Sequence, residues 1–135
     1  MTLTIYTDGG SLNNPGQAAY AYVIYRDTEI LVKHGARLGI ATNNIAEYTG
    51  LIEALKKVIE LKKSHEINKI FVFADSELMV KQVNGLYKVK NTELRDKLFE
   101  VRALEGDMNI PITYTHVLRE KNQLADSLVK KALGR

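Results

Sequence analysis

The sequence predicts an α/β sandwich built on a five-stranded mixed sheet, three strands antiparallel and two parallel, flanked by helices. Three features predict it. The first third of the chain is a succession of strand-like segments broken by turn residues. The pattern then changes to a helical period from about Asn44 to Lys63. A continuous apolar run, Ile70 to Ala74 (IFVFA), follows that helix and completes a strand–helix–strand unit.

Taken in order, Thr2 to Asp8 alternates as a strand and is expected to stop at Gly9 and Gly10. Ser11 to Gln17 (SLNNPGQ) is turn chemistry, with Asn-Pro-Gly supplying a tight bend. Ala18 to Arg26 and Ile30 to Leu38 read as strands joined in a hairpin around Asp27, Thr28 and Glu29. In the helical segment Tyr48, Leu51, Ile52, Leu55, Val58 and Ile59 share one stripe, opposite Glu53, Lys56, Lys57, Glu60 and Lys63. Its buried part is expected to end near Ile59, because Leu61 leaves the stripe and Lys62 interrupts it. The run IFVFA has the composition of a central strand buried on both faces. Helices are expected over Ser76 to Asn84 and Thr92 to Glu105, a short strand over Ile112 to His116, and a last helix from about Asn122 to Leu133.

Bulk properties bound the function. A chain of 135 residues with 45% hydrophobic content fits one domain, residues 1–135, with a core that needs no metal or disulfide to fold. There is no cysteine, so thiolate chemistry and Cys-ligated zinc are excluded, and any metal must take oxygen or histidine ligands. The start MTLTIYTDGG has neither a basic segment nor a long apolar run, and no stretch approaches the roughly eighteen apolar residues of a membrane span. A cytoplasmic monomer without membrane attachment is expected. The net charge of +3 permits an anionic partner without requiring one.

Asp8 ends the first strand pattern and Asp75 follows the apolar one. A right-handed crossover through the long helix would set these strands parallel and adjacent, roughly 4.8 Å apart, with both acids at one sheet edge. Two carboxylates so placed repel, so either one takes up a proton or a cation neutralises both. An all-oxygen set favours a hard divalent ion such as Mg²⁺ or Mn²⁺. Taken alone, each Asp reads first as a residue that merely closes its strand. Glu47 flanks the apolar stripe one turn before Leu51, and Asn44 projects near the middle of it. That suggests an inward-facing polar pair, or else a capping box with Thr42, Asn43 or Asn44. Asp126 borders the last helix's stripe (Leu124, Ala125, Leu128, Val129, Ala132) and on pattern alone reads as a solvated side chain.

Four segments in order, TDGGSLNNPG (Thr7 to Gly16), TNNIAEY (Thr42 to Tyr48), ADSELMV (Ala74 to Val80) and REKNQLADSLVKKAL (Arg119 to Leu133), resemble type 1 ribonuclease H over essentially the whole chain. The resemblance implies the ribonuclease H-like fold, two Mg²⁺ ions (Mn²⁺ as substitute) and cleavage of the RNA strand of an RNA–DNA hybrid into 5′-phosphate and 3′-hydroxyl ends. It implies that Asp8 bridges the ions, that Glu47 and Asp75 help hold the one near the leaving group, and that Asp126 stands beside the nucleophilic water. In such a site one ion activates water while a second, roughly 3.5–4 Å away, stabilises the departing oxygen. It also implies that Asn14, Asn43 and Asn44 contact the minor groove, where amides sense the 2′-hydroxyl. Thr42 and Asn91 match residues that grip a phosphate of the DNA strand, which fixes register without reading bases.

Two departures from the family stand out. Many relatives carry a mobile histidine before the last acid. Here Arg119 occupies the corresponding short loop, as in a shorter, archaeal-like branch, and is expected to contact phosphate and assist catalysis. His116 is the alternative by counting, though it falls at the end of a strand pattern. The basic, Trp-rich protrusion is reduced to GLYKVKN, leaving scattered Lys81, Lys88 and Lys90 and an expectation of modest, salt-sensitive affinity. His34 and His65 show no ligand spacing. Three rivals are weighed: a non-catalytic hybrid-binding module, which has no need of four acids; a phosphotransferase, which needs two lobes; and a resolvase- or integrase-like nuclease on the same carboxylate core.

Overall fold

The computed structural model describes all residues 1–135. The elements are β1 (Thr2–Ser11), β2 (Gly16–Arg26), β3 (Glu29–Ala41), α1 (Asn43–Lys62), β4 (Lys69–Ala74), α2 (Glu77–Val83), α3 (Thr92–Met108), β5 (Ile112–His116) and α4 (Gln123–Ala132). A single 3₁₀ turn, Arg119–Lys121, precedes α4. One sheet runs in the order β3-β2-β1-β4-β5. The β1–β2 and β2–β3 pairs are antiparallel, whereas β1–β4 and β4–β5 are parallel, which is the mixed sheet expected. No helix is long and apolar enough to cross a membrane.

The main core lies between the sheet and α1 with α3. Leu3 and Ile5 of β1, Ile24 of β2 and Ile70 and Val72 of β4 meet Leu51, Leu55 and Val58 of α1 there. On the opposite face α4 seats Val129 and Leu133 against Ala19 and Ala21. Small residues on β2 let that helix approach closely. Because α4 covers β1, β2 and β3 only, the rest of that face stays open.

This one-sided cover corrects the reading of β4. Ile70, Val72 and Ala74 are buried, but Phe71 is 38% exposed and Phe73 is half-buried. Phe73 instead stacks on Tyr6 at 5.3 Å, and Tyr6 meets Tyr25 edge-on at 5.9 Å. The run is apolar on both faces without being buried on both. β1 also does not stop at the glycines: Gly9, Gly10 and Ser11 stay paired with Tyr20, Ala19 and Ala18 of β2. The turn therefore shrinks to residues 12–15. β3 continues beyond Leu38 to Ala41, still paired with β2.

Helix ends follow local chemistry. Thr42 caps α1, its Oγ1 accepting the Ile45 N–H at 3.2 Å. That puts Glu47 two positions too late for a capping box, whose third helical position is Ile45. The last fully buried residue of α1 is Val58, close to the expected limit. α3 outruns its expected end by three residues because Leu94, Val101 and Met108 recur on one buried stripe. Asn109 then closes it in the left-handed region, at φ 52°.

Candidate metal centre

The parallel pairing of β1 with β4 ends at Thr7 opposite Ala74. Asp8 and Asp75 each come one residue later, so the register sets them side by side just beyond the last pair. Asp8 thus sits at the end of the parallel ladder although not at the end of its strand. Glu47 arrives from α1, and the reason is steric. A Cβ on Gly9 would lie 2.2 Å from the Ala46 carbonyl carbon, and one on Gly50 would lie 2.7 Å from the Asp8 carbonyl oxygen. With hydrogen alone at both positions, the helix backbone rests directly on β1, and Glu47 between them overhangs the sheet edge.

The result is a cluster in which one carboxylate oxygen from each of Asp8, Glu47 and Asp75 lies within 4.8 Å of the others. Asp8 is 5% and Glu47 9% exposed. Burial, and then the charge of Asp75, raises the Asp8 pKa from 3.8 to about 8. Burial also pushes Glu47 well above the usual carboxylate range, with the charges of Asp8 and Asp75 adding to it. Acids so close together require a proton or a cation, and the geometry produces that condition.

Glu47 Oε1 and Asp75 Oδ2 are buried with no hydrogen-bond partner. Buried acceptors are normally satisfied, so these two oxygens mark a place for a cation. The donor set is all carboxylate, which fits a hard divalent ion and not a thiophilic one. Arg119 does not neutralise the cluster: its Nε is 3.9 Å from Asp75 Oδ2 and its side chain is 79% exposed. Asp126 lines the same cleft of about 320 Å³ as Asp8, Glu47, Arg119 and Lys130. Its Oδ2 is paired with Lys130 Nζ at 3.0 Å, and it stands outside the three-acid cluster.

The residues expected to bind substrate form a second group. Asn14, Thr42, Asn44 and Asn91 line a separate cleft of about 180 Å³ between the start of α1 and the start of α3. Asn14 Oδ1 accepts the Asn43 N–H at 3.0 Å, and Asn43 Oδ1 accepts the Ser11 N–H at 2.8 Å. Asn91 caps α3, accepting the Leu94 N–H at 3.0 Å. Asn44 is exposed and lines the cleft facing the start of α3, which corrects its inward placement: it borders solvent there and not the core. His116 ends β5 opposite Ala74. His34 packs against Tyr20 and Tyr22, and His65 bonds to Ser64 and the Leu61 carbonyl. Lys81 is engaged by Glu77 and Tyr87, while Lys88 and Lys90 are exposed.

Sequence reasoning missed Gly50 and Asn122. A glycine inside a strong helical pattern signals close backbone approach, and Gly50 carried that signal. Asn122, read only as a helix start, is buried with its Nδ2 on the Thr7 carbonyl at 2.8 Å. No local pattern announces that contact.

Known proteins share this architecture. The RNase H family model matches residues 1–134. The chain is 36% identical to the bifunctional protein Rv2228c of Mycobacterium tuberculosis, covering 98% of this chain and 36% of that one. It thus spans about a third of that relative's length. It is also 36% identical to ribonuclease HI of Halobacterium salinarum, over 95% of this chain and 62% of that one. Among solved structures, LC11-RNase H1 in complex with an RNA/DNA hybrid superposes with a TM-score of 0.93 at 36% identity, covering 98% and 96% of the two chains. RNase H1 of Halobacterium salinarum gives a TM-score of 0.91 at 34% identity, covering 99% and 98%. A match along the whole chain, over an acidic centre suited to the divalent ions that this family uses, makes the chain a member of the ribonuclease H family.

Proposed function

We propose that residues 1–135 form one catalytic domain that hydrolyses the RNA strand of RNA–DNA hybrids by two-metal-ion catalysis, with little sequence preference. The products carry 5′-phosphate and 3′-hydroxyl ends. The carrying observation is the convergence of Asp8, Glu47 and Asp75 oxygens within 4.8 Å, two of the three acids having an unpaired buried oxygen. The hybrid held by the similar LC11-RNase H1 supports the substrate class. We assign Mg²⁺, with Mn²⁺ as substitute, and action as a monomer in the cytoplasm.

Asp8, Glu47, Asp75 and Asp126 are the residues assigned to hold the ions. When bound, those ions supply a water of lowered pKa and a positive counter-charge for the departing oxygen. The protein's own part is positioning. Asp8, subject to the fields of both Asp75 and Asp126, is the bridging acid. Glu47 and Asp75 bring oxygens that lack other partners, so they need not break a hydrogen bond to serve. Lys130 restrains Asp126. Arg119 is exposed and unpaired except for its long contact with Asp75, leaving its guanidinium free to meet a phosphate. Asn14, Asn43 and Asn44 face the groove of the hybrid, and Thr42 and Asn91, whose cleft opens between two helix N-termini, take a DNA-strand phosphate.

Incubation of an end-labelled hybrid with the protein in Mg²⁺ and in EDTA tests the reading. Cleavage of the RNA strand in Mg²⁺ alone, with 5′-phosphate products, is expected. Preferential cleavage of branched or duplex DNA would move the chain to a resolvase-like activity.

A further inference from the structure

The four acids come from four elements of the fold, β1, α1, the end of β4 and α4, and something must fix α4 against β1 for Asp126 to serve the same centre as Asp8. We infer that Asn122 is a positioning residue for that centre, tying the strand that carries Asp8 to the helix that carries Asp126. The inference rests on the proposed metal centre.

Asn122 is 2% exposed and lies between the 3₁₀ turn and α4. Its Nδ2 donates to the Thr7 carbonyl at 2.8 Å, across 115 residues of sequence. Thr7 is the last residue of β1 paired with β4, and Asp8 follows it directly. The Asn122 carbonyl in turn accepts the Asp126 N–H at 3.1 Å, the first α-helical bond of α4. One residue therefore holds the backbone next to Asp8 with its side chain and the backbone of Asp126 with its main chain. The side chain does not cap its own helix. An Asn at this position ordinarily serves as a cap, so the orientation toward β1 is the distinctive feature.

The tether is also the polar link at this crossing. Elsewhere α4 is held by apolar packing of Val129 and Leu133 on Ala19 and Ala21, and by Arg37 Nε on the Ala132 carbonyl at 2.7 Å, which lies at the other end of the helix. Apolar packing on alanines permits small slides. A hydrogen bond to one carbonyl does not. Groups that orient metal ligands in this way are worth about 10–100-fold in metal affinity or activity.

The test compares wild type with Asn122→Leu, which keeps the shape and removes the donor, and Asn122→His, whose Nδ1 stands where Nδ2 stood. The larger ring has room, because Asn122 also lines a hollow of about 390 Å³ beside Tyr6 and Tyr25. Mn²⁺ binding is measured by calorimetry on the folded proteins without substrate, alongside kcat and KM on a hybrid. The leucine variant is expected to lose about tenfold or more in Mn²⁺ affinity and in kcat, with KM near wild type, and the histidine variant to regain much of both. If the leucine variant does not fold, Asn122→Thr replaces it in the same measurements. Wild-type Mn²⁺ affinity and kcat in a folded variant without the donor overturn the inference, as does a loss that histidine does not restore. In either case Asp8→Asn still abolishing cleavage would leave the metal centre standing, whereas an active Asp8→Asn would remove the centre itself.

Discussion

At the scale of single residues, the fold holds carboxylates where carboxylates are costly. The Asp8 pKa is raised from 3.8 to about 8 by burial and by Asp75, so the metal-free folded chain holds a proton that the unfolded chain has already released. The sign follows from proton linkage. This contribution to stability is complete below about pH 4 and is lost as pH rises toward 8. Glu47 is shifted in the same direction. In EDTA, the denaturation midpoint is therefore expected to fall between pH 5 and pH 8.5, and a millimolar divalent cation should flatten the profile. Asp8→Asn should abolish cleavage while raising metal-free stability at pH 8 by on the order of 1–3 kcal/mol, read from denaturant unfolding. Arg119→Ala should slow turnover several-fold without ending it, and an unchanged rate combined with a loss in His116→Ala would transfer the role to His116.

At the scale of elements, strands and helices were readable wherever periodicity was strong, and β5 falls on its expected residues, Ile112–His116. The parallel register that joins Asp8 to Asp75 was also legible, because a strand–helix–strand crossover leaves few alternatives. What escaped was set by tertiary contact. Gly9 and Gly10 look like strand breakers, yet β2 keeps them extended, and Gly9 is required by the approach of α1. Phe71 and Phe73 look like core, yet no helix covers them. Asp126 was legible only through its resemblance to a family motif, since its place depends on how α4 crosses the sheet. The close seating of α1 makes a direct prediction. Gly50→Ala would set a Cβ 2.7 Å from the Asp8 carbonyl, so it should cost roughly 1–3 kcal/mol of stability. It should also weaken Mn²⁺ binding more than Val101→Ala, a core truncation in α3, with both effects read by unfolding and calorimetry.

At the scale of the molecule, a net charge of +3 and the reduced segment around Lys88 and Lys90 leave little electrostatic surface for holding a polyanion. Hybrid binding should weaken with salt along a shallow slope, equivalent to a few neutralised phosphates. Fluorescence anisotropy with the Asp8→Asn variant measures this, and a slope near zero would mean that phosphate contacts do not hold the substrate. The cluster depends on the fold in a simple way: one parallel register supplies Asp8 and Asp75, and one glycine-lined helix contact supplies Glu47.

The central claim is that these acids form one centre for divalent ions. Crystals soaked in Mn²⁺ and measured at the manganese absorption edge test it most directly. Anomalous peaks in contact with the carboxylates of Asp8, Glu47 and Asp75 are predicted. A well-ordered crystal at saturating Mn²⁺ with no peak at Asp8, or with Mn²⁺ bound only elsewhere on the surface, would contradict it.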